Sequence, residues 1–486
     1  MKKKYGLFKV LSVLLLIIVV LTYFIDSRQG GKSYLALVDV VLNFMQSFYS
    51  FFENILFVLV VGGFYGILNR IPAYKQMVKG IVDKVQSKSK LFVIITTVVL
   101  ALVSAFTGLN VLLLLFVPMI VSVILLLGYD KLVALSATVG SIVIGLIGGV
   151  FLTVRDPYSG YGVSFTTIDK LVGLDSHWSN LLPKFLLLIL GIVLLVWYIL
   201  SHIKNVEYGK CSYALTKSDS LFVELRDKNG KKVEVTSEKK VMVWPLAVCM
   251  GLVFGILVLG YLPWKDLFNL EIFEKFHTWL TGLKIGDYSV FTSLISVNFS
   301  AFGTWSILRT YLAAIVVLLV FSIILMLIYR IKFDDAMDGF LYGVKKMLPA
   351  GLVVILAYTV FLCSYDNGFI ETVITLAGEK LGDNAIIHSL LVMFGSVFYV
   401  DFYYTSAGIF SNIVPTLSDS ANLSVYAAMF QSLYGLVQIV GPTSILLLVG
   451  LSYLEVPYKT WLKYIWRFVV GLLIIIFIVL MITSLL

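Results

Sequence analysis

Long apolar stretches alternate with short polar loops along almost the whole chain. Most of these stretches run for about 20 residues, the length that an α-helix needs to cross a hydrocarbon core of about 30 Å. A membrane β-barrel would instead show short segments in which apolar and polar residues alternate. The pattern therefore predicts an all-α polytopic membrane protein, with apolar segments at 6–25, 51–69, 91–107, 109–127, 131–151, 184–201, 241–262, 306–329, 349–364, 386–404 and 468–486.

Composition and charge fit a membrane protein whose basic residues face the cytoplasm. Charged residues make up 13% of the 486 residues, against about 25% in a soluble domain. The net charge is +9. Because Lys and Arg gather in the cytoplasmic loops of membrane proteins, we expect a lipid bilayer and no nucleic acid as partner. The three cysteines and four histidines are dispersed, which predicts neither a metal site nor a cofactor.

The first apolar segment follows Lys2, Lys3 and Lys4 and resembles a signal peptide. It is long for a signal peptide, and it lacks a small-residue cleavage site. We therefore expect a retained helix with a cytoplasmic N-terminus, in a multi-pass protein of the cytoplasmic membrane.

The two halves of the chain carry matching features. Val117-Pro118 in the first half matches Val414-Pro415 in the second, and Gly148 matches Gly441. The identities are few, but they place the loops of one half opposite those of the other. This pairing makes the loop charges a separate test of internal repetition.

The paired loops differ in the sign of their charge. The loop at 70–90 carries six Lys or Arg and one Asp, whereas the loop at 365–385 carries four acids and one Lys. By the positive-inside rule the first is cytoplasmic and the second is external. The loop at 152–183 and the segment at 26–50 are predicted to be external, and their basic counterparts after 454 and after 329 to be cytoplasmic. Two inverted-topology repeats, as in many secondary transporters, explain these differences.

The chain is predicted to have four parts. They are a first membrane repeat at 1–202, a cytoplasmic polar insert at 203–240, a linking helix with an external segment at 241–302, and a second, inverted repeat at 303–486. The unpaired helix at 241–262 would turn the second repeat over. Within the insert, alternation around Asn229-Gly230 predicts a small β-hairpin, with a structureless connector as an equal alternative.

Helix-breaking residues interrupt the apolar segments of both halves. Irregular backbone at membrane depth is tolerated only where it is buried in protein or lines a cavity. The stretches 91–151 and 386–454 must each cross an odd number of times, by three crossings or by one crossing and a re-entrant hairpin. The breakers are Gly108, Pro118, Gly408, Pro415, Gly441 and Pro442.

Polar groups beside these breaks form the predicted substrate site. Helix ends expose N–H groups that favour anionic substrate groups, and carbonyls that favour cations. The alternative role of the hydroxyls is to bond their own helix or a neighbouring one. The site residues are Thr405, Ser406, Gly408, Gly441, Pro442, Thr443 and Ser444, with Thr107, Gly108 and Asn110 as their partners in the first half.

Asp401 is the predicted ion-coupling residue. It is the only charge in the apolar run Gly395–Phe402, and an ionisable group at membrane depth is costly and marks a functional site by default. We expect it to bind a proton, a sodium ion or a substrate ammonium group. The alternative is an aspartate near a helix end that reaches headgroups or water.

These breaker-rich segments also carry a family resemblance. The second half contains Thr405-Ser406-Ala407-Gly408, Val414-Pro415, Gly441-Pro442-Thr443-Ser444 and Val456-Pro457-Tyr458-x-x-Trp461, and the first half contains Gly108, Phe116-x-Pro118, Gly128-Tyr129-Asp130, Gly148 and Asp156-Pro157-Tyr158. In order and spacing they resemble the four-carbon-dicarboxylate anaerobic carrier-like (YfcC-type) permeases of the ion transporter superfamily. The resemblance covers nearly the whole chain outside 203–305.

The resemblance implies an elevator-type carrier with a scaffold domain and a mobile transport domain, whose helical hairpins meet near the bilayer midplane. It also implies that the substrates are dicarboxylates, amino acids or related metabolites. The chain departs from the family pattern at two places. Val111 and Leu112 stand where the family usually has a pair of glutamates, and Asp156-Pro157 replaces its Asn-Pro.

We therefore predict a secondary active transporter of small organic acids or amino acids, driven by an ion gradient or by exchange, and we expect a homodimer. The alternatives are a channel, a lipid flippase and a lipid-metabolising membrane enzyme. Asp334-Asp335-x-x-Asp338 is similar to a metal-diphosphate motif of such enzymes. They need a second acidic motif to hold their metal ions, and no matching cytoplasmic loop supplies one, so we expect no enzymatic activity.

Overall fold

The computed structural model describes residues 6–24, 34–150, 153–155, 165–174, 181–207, 241–262, 264, 268–290, 307–381, 385–400, 402–414 and 423–485. Its first half contains α1 (Gly6–Thr22), α2 (Leu37–Ser50), α3 (Phe52–Leu68), α4 (Pro72–Val85), α5 (Ser89–Thr107), α6 (Val117–Leu126), α7 (Lys131–Leu135), α8 (Ser141–Ile147), β1 (Thr153–Arg155), β2 (Phe165–Thr167), α9 (Ile168–Leu171) and α10 (Leu181–Glu207). Short 3-10 turns occupy Gln86–Lys88 and Val111–Leu115, and a π-helical turn, Ser136–Gly140, joins α7 to α8.

The remaining elements follow the polar insert. They are α11 (Trp244–Tyr261), α12 (Ile272–Gly282), β3 (Lys284–Ile285), β4 (Tyr288–Ser289), α13 (Ile307–Ile328), α14 (Phe333–Tyr365), α15 (Phe369–Leu381), α16 (Ala385–Ser396), α17 (Phe402–Thr405), α18 (Ser411–Ile413), α19 (Leu423–Val440), α20 (Ile445–Tyr453) and α21 (Tyr458–Ser484). A second π-helical turn, Ser406–Phe410, joins α17 to α18. The strands form two antiparallel hairpins, β1–β2 and β3–β4.

The predicted polytopic, all-α membrane fold is confirmed. Among the described residues, seven helical segments are long and apolar enough to cross a membrane, and α2 with α3 makes an eighth if this pair, bent by 60°, counts as one span. Exposed apolar side chains such as Trp197, Leu252 and Ile474 lie on these segments, as expected for helices that face lipid rather than water.

Several short helices lie where the sequence left full crossings and re-entrant hairpins open. α6 has 10 residues and α16 has 12, so each is about 15–18 Å long, well short of a hydrocarbon core of about 30 Å. The run at 109–127, predicted as one segment, is divided by the 3-10 turn before Val117 and Pro118. These lengths favour re-entrant hairpins over three full crossings.

Other sequence predictions need correction or lie outside the described residues. α14 begins at Phe333 rather than at 349, and Pro349 lies inside it, because packed neighbours and local adjustments compensate for the lost hydrogen bond in a membrane helix. The segment at 365–385, predicted as an external loop, contains the helix α15. The hairpin predicted around Asn229-Gly230 lies outside the described residues.

The tightest helix pair joins the two halves of the chain. Gly62 and Gly66 on α3 face Gly339 and Gly343 on α14, and a Cβ on Gly66 or Gly343 would collide with the backbone carbonyl opposite. Small residues four apart let two membrane helices approach until their backbones touch. The Gly62–Gly343 contact therefore sets how closely α3 and α14 pack.

Replacing Gly343 by Ala should loosen this pair. The added methyl group has no space against the Gly62 carbonyl, and overpacking of this kind costs about 1–3 kcal/mol. We expect a lower thermal unfolding midpoint for the purified Gly343→Ala protein. Gly251→Ala on α11 is the matched control, because no atom lies within 4 Å of its Cβ position. Equal midpoints for the two variants would contradict the close contact.

Candidate functional site

The turn at 397–400 connects two of the segments predicted to bind substrate. Thr443 Oγ1 donates a hydrogen bond of 2.6 Å to the Val397 carbonyl. Two residues later, the Tyr399 hydroxyl fills the space that a Cβ on Gly408 would occupy. The structure therefore brings Gly441–Ser444 and Thr405–Gly408 into contact with the same short turn.

The break between α19 and α20 is made by Gly441 and Pro442. Pro has no N–H to continue a helix, and α20 starts afresh at Ile445. Ser444 is its N-cap, since its Oγ accepts a hydrogen bond of 3.4 Å from the Leu447 N–H. Thr443 and Ser444 are fully buried. Both hydroxyls form hydrogen bonds with backbone groups, which is the alternative role considered for them in the sequence analysis.

Side chains from α21 complete the end of α19. The Trp461 Nε1–H donates to the Ile439 carbonyl at 2.9 Å, and the Tyr458 hydroxyl donates to the Val440 carbonyl. The last carbonyls of a helix have no partner within it, and in a membrane they cannot rely on water. The Pro457-Tyr458-x-x-Trp461 motif thus supplies donors to the backbone that the break leaves open.

The segment Thr405–Gly408 lies in an irregular part of its helix. Thr405 ends α17, and Ser406 and Gly408 lie in the π-helical turn. Thr405 and Ser406 are fully buried. The Gly408 carbonyl accepts a hydrogen bond of 2.9 Å from the Asn412 side-chain amide. Single π-turns occur frequently at functional sites, which fits the predicted role.

The segment Thr107–Asn110 forms the end of α5. Gly108 has a φ of 69°, in the left-handed region that glycine adopts without a Cβ penalty, and it ends the helix there. The Thr107 hydroxyl accepts from the Leu109 N–H at 3.1 Å, and Asn110 Oδ1 lies 2.8 Å from Ser104 Oγ. These contacts stay within the first half, but the 3-10 turn that follows packs against α20.

One glutamine connects the two halves at a second break. Gln431 Nε2 on α19 donates to the carbonyls of Leu146, Ile147 and Gly149 at 2.7–3.3 Å, at the end of α8. Gly435, on the same helix, leaves no room for a Cβ against Ile147. Gln431 therefore joins α19 to the end of α8.

Other polar atoms are buried near these breaks without a hydrogen-bond partner in the described part of the chain. They include Ser396 Oγ, at the end of α16, Gln438 Nε2, one turn before Gly441, and Gln431 Oε1. An unpaired buried polar group costs free energy, so such atoms are suited to bind a ligand transiently. Neither Ser396 nor Gln438 is among the site residues predicted from the sequence.

The acidic residue that the structure describes here differs from the predicted one. Asp401 lies outside the described residues, so its role stays a prediction. Glu371, interpreted from the sequence as a charge of an external loop, is 6% exposed and accepts a hydrogen bond from the Tyr399 hydroxyl. Its helix, α15, is not among the membrane-spanning segments. Burial raises the pKa of the Glu371 carboxyl to about 7, and the bond from Tyr399 opposes part of that rise.

Comparison with solved structures gives two matches of low similarity. The chain is similar to the YdaH transporter of Alcanivorax borkumensis, with 11% identity, 98% of this chain and 97% of that chain covered, and a TM-score of 0.39. It is also similar to MtrF of Neisseria gonorrhoeae, of a class of antimetabolite efflux pumps, with 12% identity, 97% and 94% covered, and a TM-score of 0.37.

Comparison with curated proteins gives no match. The family model of the C4-dicarboxylate anaerobic carrier, DcuC, matches residues 38–485, which confirms the resemblance inferred from the motifs. The broken, buried helices described above lie entirely within the matched region. The chain therefore belongs to the C4-dicarboxylate anaerobic carrier family and is a membrane transporter.

Proposed function

We propose that this transporter is a secondary active carrier of small organic acids or amino acids in the cytoplasmic membrane. The observation that supports it most is the Thr443–Val397 hydrogen bond of 2.6 Å, which joins two broken helices in a buried region. Secondary transporters place their substrate sites at such discontinuous helices, near the middle of the membrane. The proposed class of substrate rests on the family and on the polar groups at the breaks.

The start of α20 suits an anionic substrate group. The first N–H groups of a helix lack partners within it, and the helix dipole favours negative charge there. The Ser444 cap occupies one of them, the Leu447 N–H. The unpartnered Gln438 Nε2 and Ser396 Oγ add donors close to the same break. A carboxylate is therefore the chemical group that these residues would recognise best.

Alternating access would move the broken helices against the remaining helices, as an elevator does. The two halves share an order of elements, since a long helix, a short amphipathic helix and a broken hairpin occur in each. We infer inverted repeats from this order together with the loop charges.

Saturable uptake into proteoliposomes without ATP tests the proposal, and equal flux for unrelated solutes at all concentrations would indicate a channel instead.

The first test concerns topology. In a background without Cys211, Cys249 and Cys363, we expect Lys79→Cys and Lys459→Cys to be shielded from a membrane-impermeant thiol reagent in intact cells. Thr375→Cys and Lys170→Cys should be labelled. All four positions are exposed in the structure, so burial does not explain a difference. Labelling at Lys79 that equals labelling at Thr375 contradicts inverted repeats.

The second test concerns the substrate hydroxyls. Removing a hydroxyl that bonds substrate costs about 1–3 kcal/mol, which is about 5- to 150-fold in affinity. We expect Ser406→Ala to weaken uptake by that factor at unchanged abundance. Ser444→Ala should also lose about 1 kcal/mol of stability with its helix cap. Ser364→Ala is the control, since this buried hydroxyl donates to the Val360 carbonyl of its own helix.

If Ser406→Ala and Ser444→Ala both keep the uptake kinetics of Ser364→Ala, the substrate site lies elsewhere. If Ser444→Ala loses only stability, its hydroxyl serves the helix cap alone.

The third test concerns Asp401. Asp401→Asn keeps the shape of the side chain and removes its charge, so a coupling role implies lower uptake and a flatter dependence on pH or on sodium. Asp83→Asn, at an exposed position of α4, is the control. The measurement is uptake into proteoliposomes at several pH and sodium values, normalised to reconstituted protein. A mutant with full activity and an unaltered ion response removes Asp401 from the mechanism.

A further inference from the structure

Glu371 is a buried acid with one oxygen bonded and one oxygen unpaired. Its Oε1 accepts a hydrogen bond from the Tyr399 hydroxyl, and its Oε2 has no partner in the described part of the chain. The side chain is 94% removed from solvent, since its exposure is 6%. A carboxyl in such a place favours its neutral, protonated form unless a cation balances the charge.

No described residue supplies that cation. α15 packs against the end of α14, α16, the π-helical turn and α18. The titratable groups at the end of α14, on α16 and in the turn at 397–400 are Cys363, Tyr365, Asp366, His388 and Tyr399. His388 packs its ring against Tyr426 on α19. Partial burial raises the pKa of Asp366 as well, and an acid cannot balance a negative charge on Glu371.

The protonation state of Glu371 has a direct route to the predicted substrate site. Tyr399, its hydrogen-bond donor, fills the Cβ space of Gly408, and Gly408 lies in the same π-helical turn as Ser406. The turn at 397–400 also carries Val397, which accepts from Thr443. A change in the charge on Glu371 therefore acts on Tyr399, which belongs to the turn that contacts both substrate-site segments.

We propose that Glu371 is a proton-binding site of the carrier, and that its protonation is transmitted through Tyr399 to the segment Ser406–Gly408. This inference rests on the proposed function, because coupling requires a transport cycle. A proton from water adds to Oε2, and the carboxylate becomes a neutral carboxylic acid while Tyr399 stays neutral. Release returns the proton to water and leaves a carboxylate, which needs hydration. The buried arrangement must then open, so that deprotonation and movement of α15 against the turn are linked.

The decisive measurement is infrared difference spectroscopy of the full-length purified protein, titrated from about pH 4 to about pH 9, a range that brackets the ordinary Glu value and neutrality. The probe is the proton itself, followed by the C=O stretch of a protonated carboxyl. We expect a band that disappears near neutral pH in the wild type and is absent in Glu371→Gln. Glu207→Gln is the matched control, because Glu207 is half-exposed and paired with Lys90, and it should keep the band.

The pH dependence of stability gives a second readout. The pKa of Glu371 is raised from its ordinary 4.5 to about 7 in the folded protein, so the folded state holds the proton more tightly than the unfolded state. Stability should therefore fall as pH rises from about 4.5 to about 7. Glu371→Gln should lose this part of the decline, whereas Glu207→Gln should keep it. Coincident profiles for the two variants overturn the proposal.

Tyr399→Phe keeps the proposal testable if Glu371→Gln does not fold. It removes the donor that stabilises the carboxylate, so the infrared band should disappear at a higher pH than in the wild type. An unchanged midpoint, or a wild-type band that persists in Glu371→Gln, overturns the proposal.

The titration needs no substrate, so it is independent of the proposed function. Uptake of radiolabelled four-carbon dicarboxylates and amino acids into proteoliposomes adds the coupling test. If the wild type takes up none of them at any pH, the proposed function fails while the titration still decides the proton site. If the wild type transports and Glu371→Gln keeps the same pH profile of uptake, the coupling role of Glu371 is wrong.

Discussion

The need to pair every backbone group at a helix break governs this structure. In a bilayer an open N–H or carbonyl cannot turn to water, so irregular backbone persists only where protein surrounds it. Here the breaks receive their partners from distant parts of the chain. Trp461 donates a hydrogen bond to the Ile439 carbonyl, Gln431 donates to carbonyls at the end of α8, and Thr443 donates to the Val397 carbonyl. Each break is therefore also a tertiary contact, and the broken helices are held by one another rather than by their own continuity.

This constraint separates the residues at the breaks into two groups. One group, with Trp461 and Tyr458 as examples, donates to backbone carbonyls and has little hydrogen-bonding capacity left for a solute. The other group, with Ser396, Gln438 and Glu371, is buried with capacity unused among the described residues. In a carrier, the second group is where a transient partner gains most, because binding relieves a cost that the empty protein bears. Tight backbone pairing around these atoms holds them in place for that partner.

Much of the fold, including the helix break at Gly108 in the candidate site, follows from the sequence. Apolar length predicted the membrane helices, and glycine chemistry predicted the break at Gly108, where a left-handed φ of 69° is required. Glu371 was missed because the positive-inside rule uses only the number of basic and acidic residues in a loop. An amphipathic helix that packs against the protein has the same number of charges as an exposed loop. Its burial depends on Tyr399 and Gly408, which are about 30 residues or more away in sequence and become neighbours only through helix packing. The long helix through Pro349 was not predicted for a related reason. In the folded protein, neighbouring helices compensate for the backbone hydrogen bond that proline removes, and the local sequence does not show those neighbours.

Family membership leaves the recognition of the substrate to be explained from this chain's own residues. Val111 and Leu112 begin the 3-10 turn after Asn110, where the family resemblance implies acidic residues. Leu112 is buried, and the turn packs against α20. An apolar turn at this place offers neither charge nor hydrogen bonds to a solute. Under the proposed function, polar recognition then comes from the start of α20 and from the segment Ser406–Gly408. The second half of the chain would supply most of the polar groups, and the first half would supply shape. A carrier with this division can change its substrate by altering a few polar side chains in the second half, with the backbone pairing at the breaks left intact.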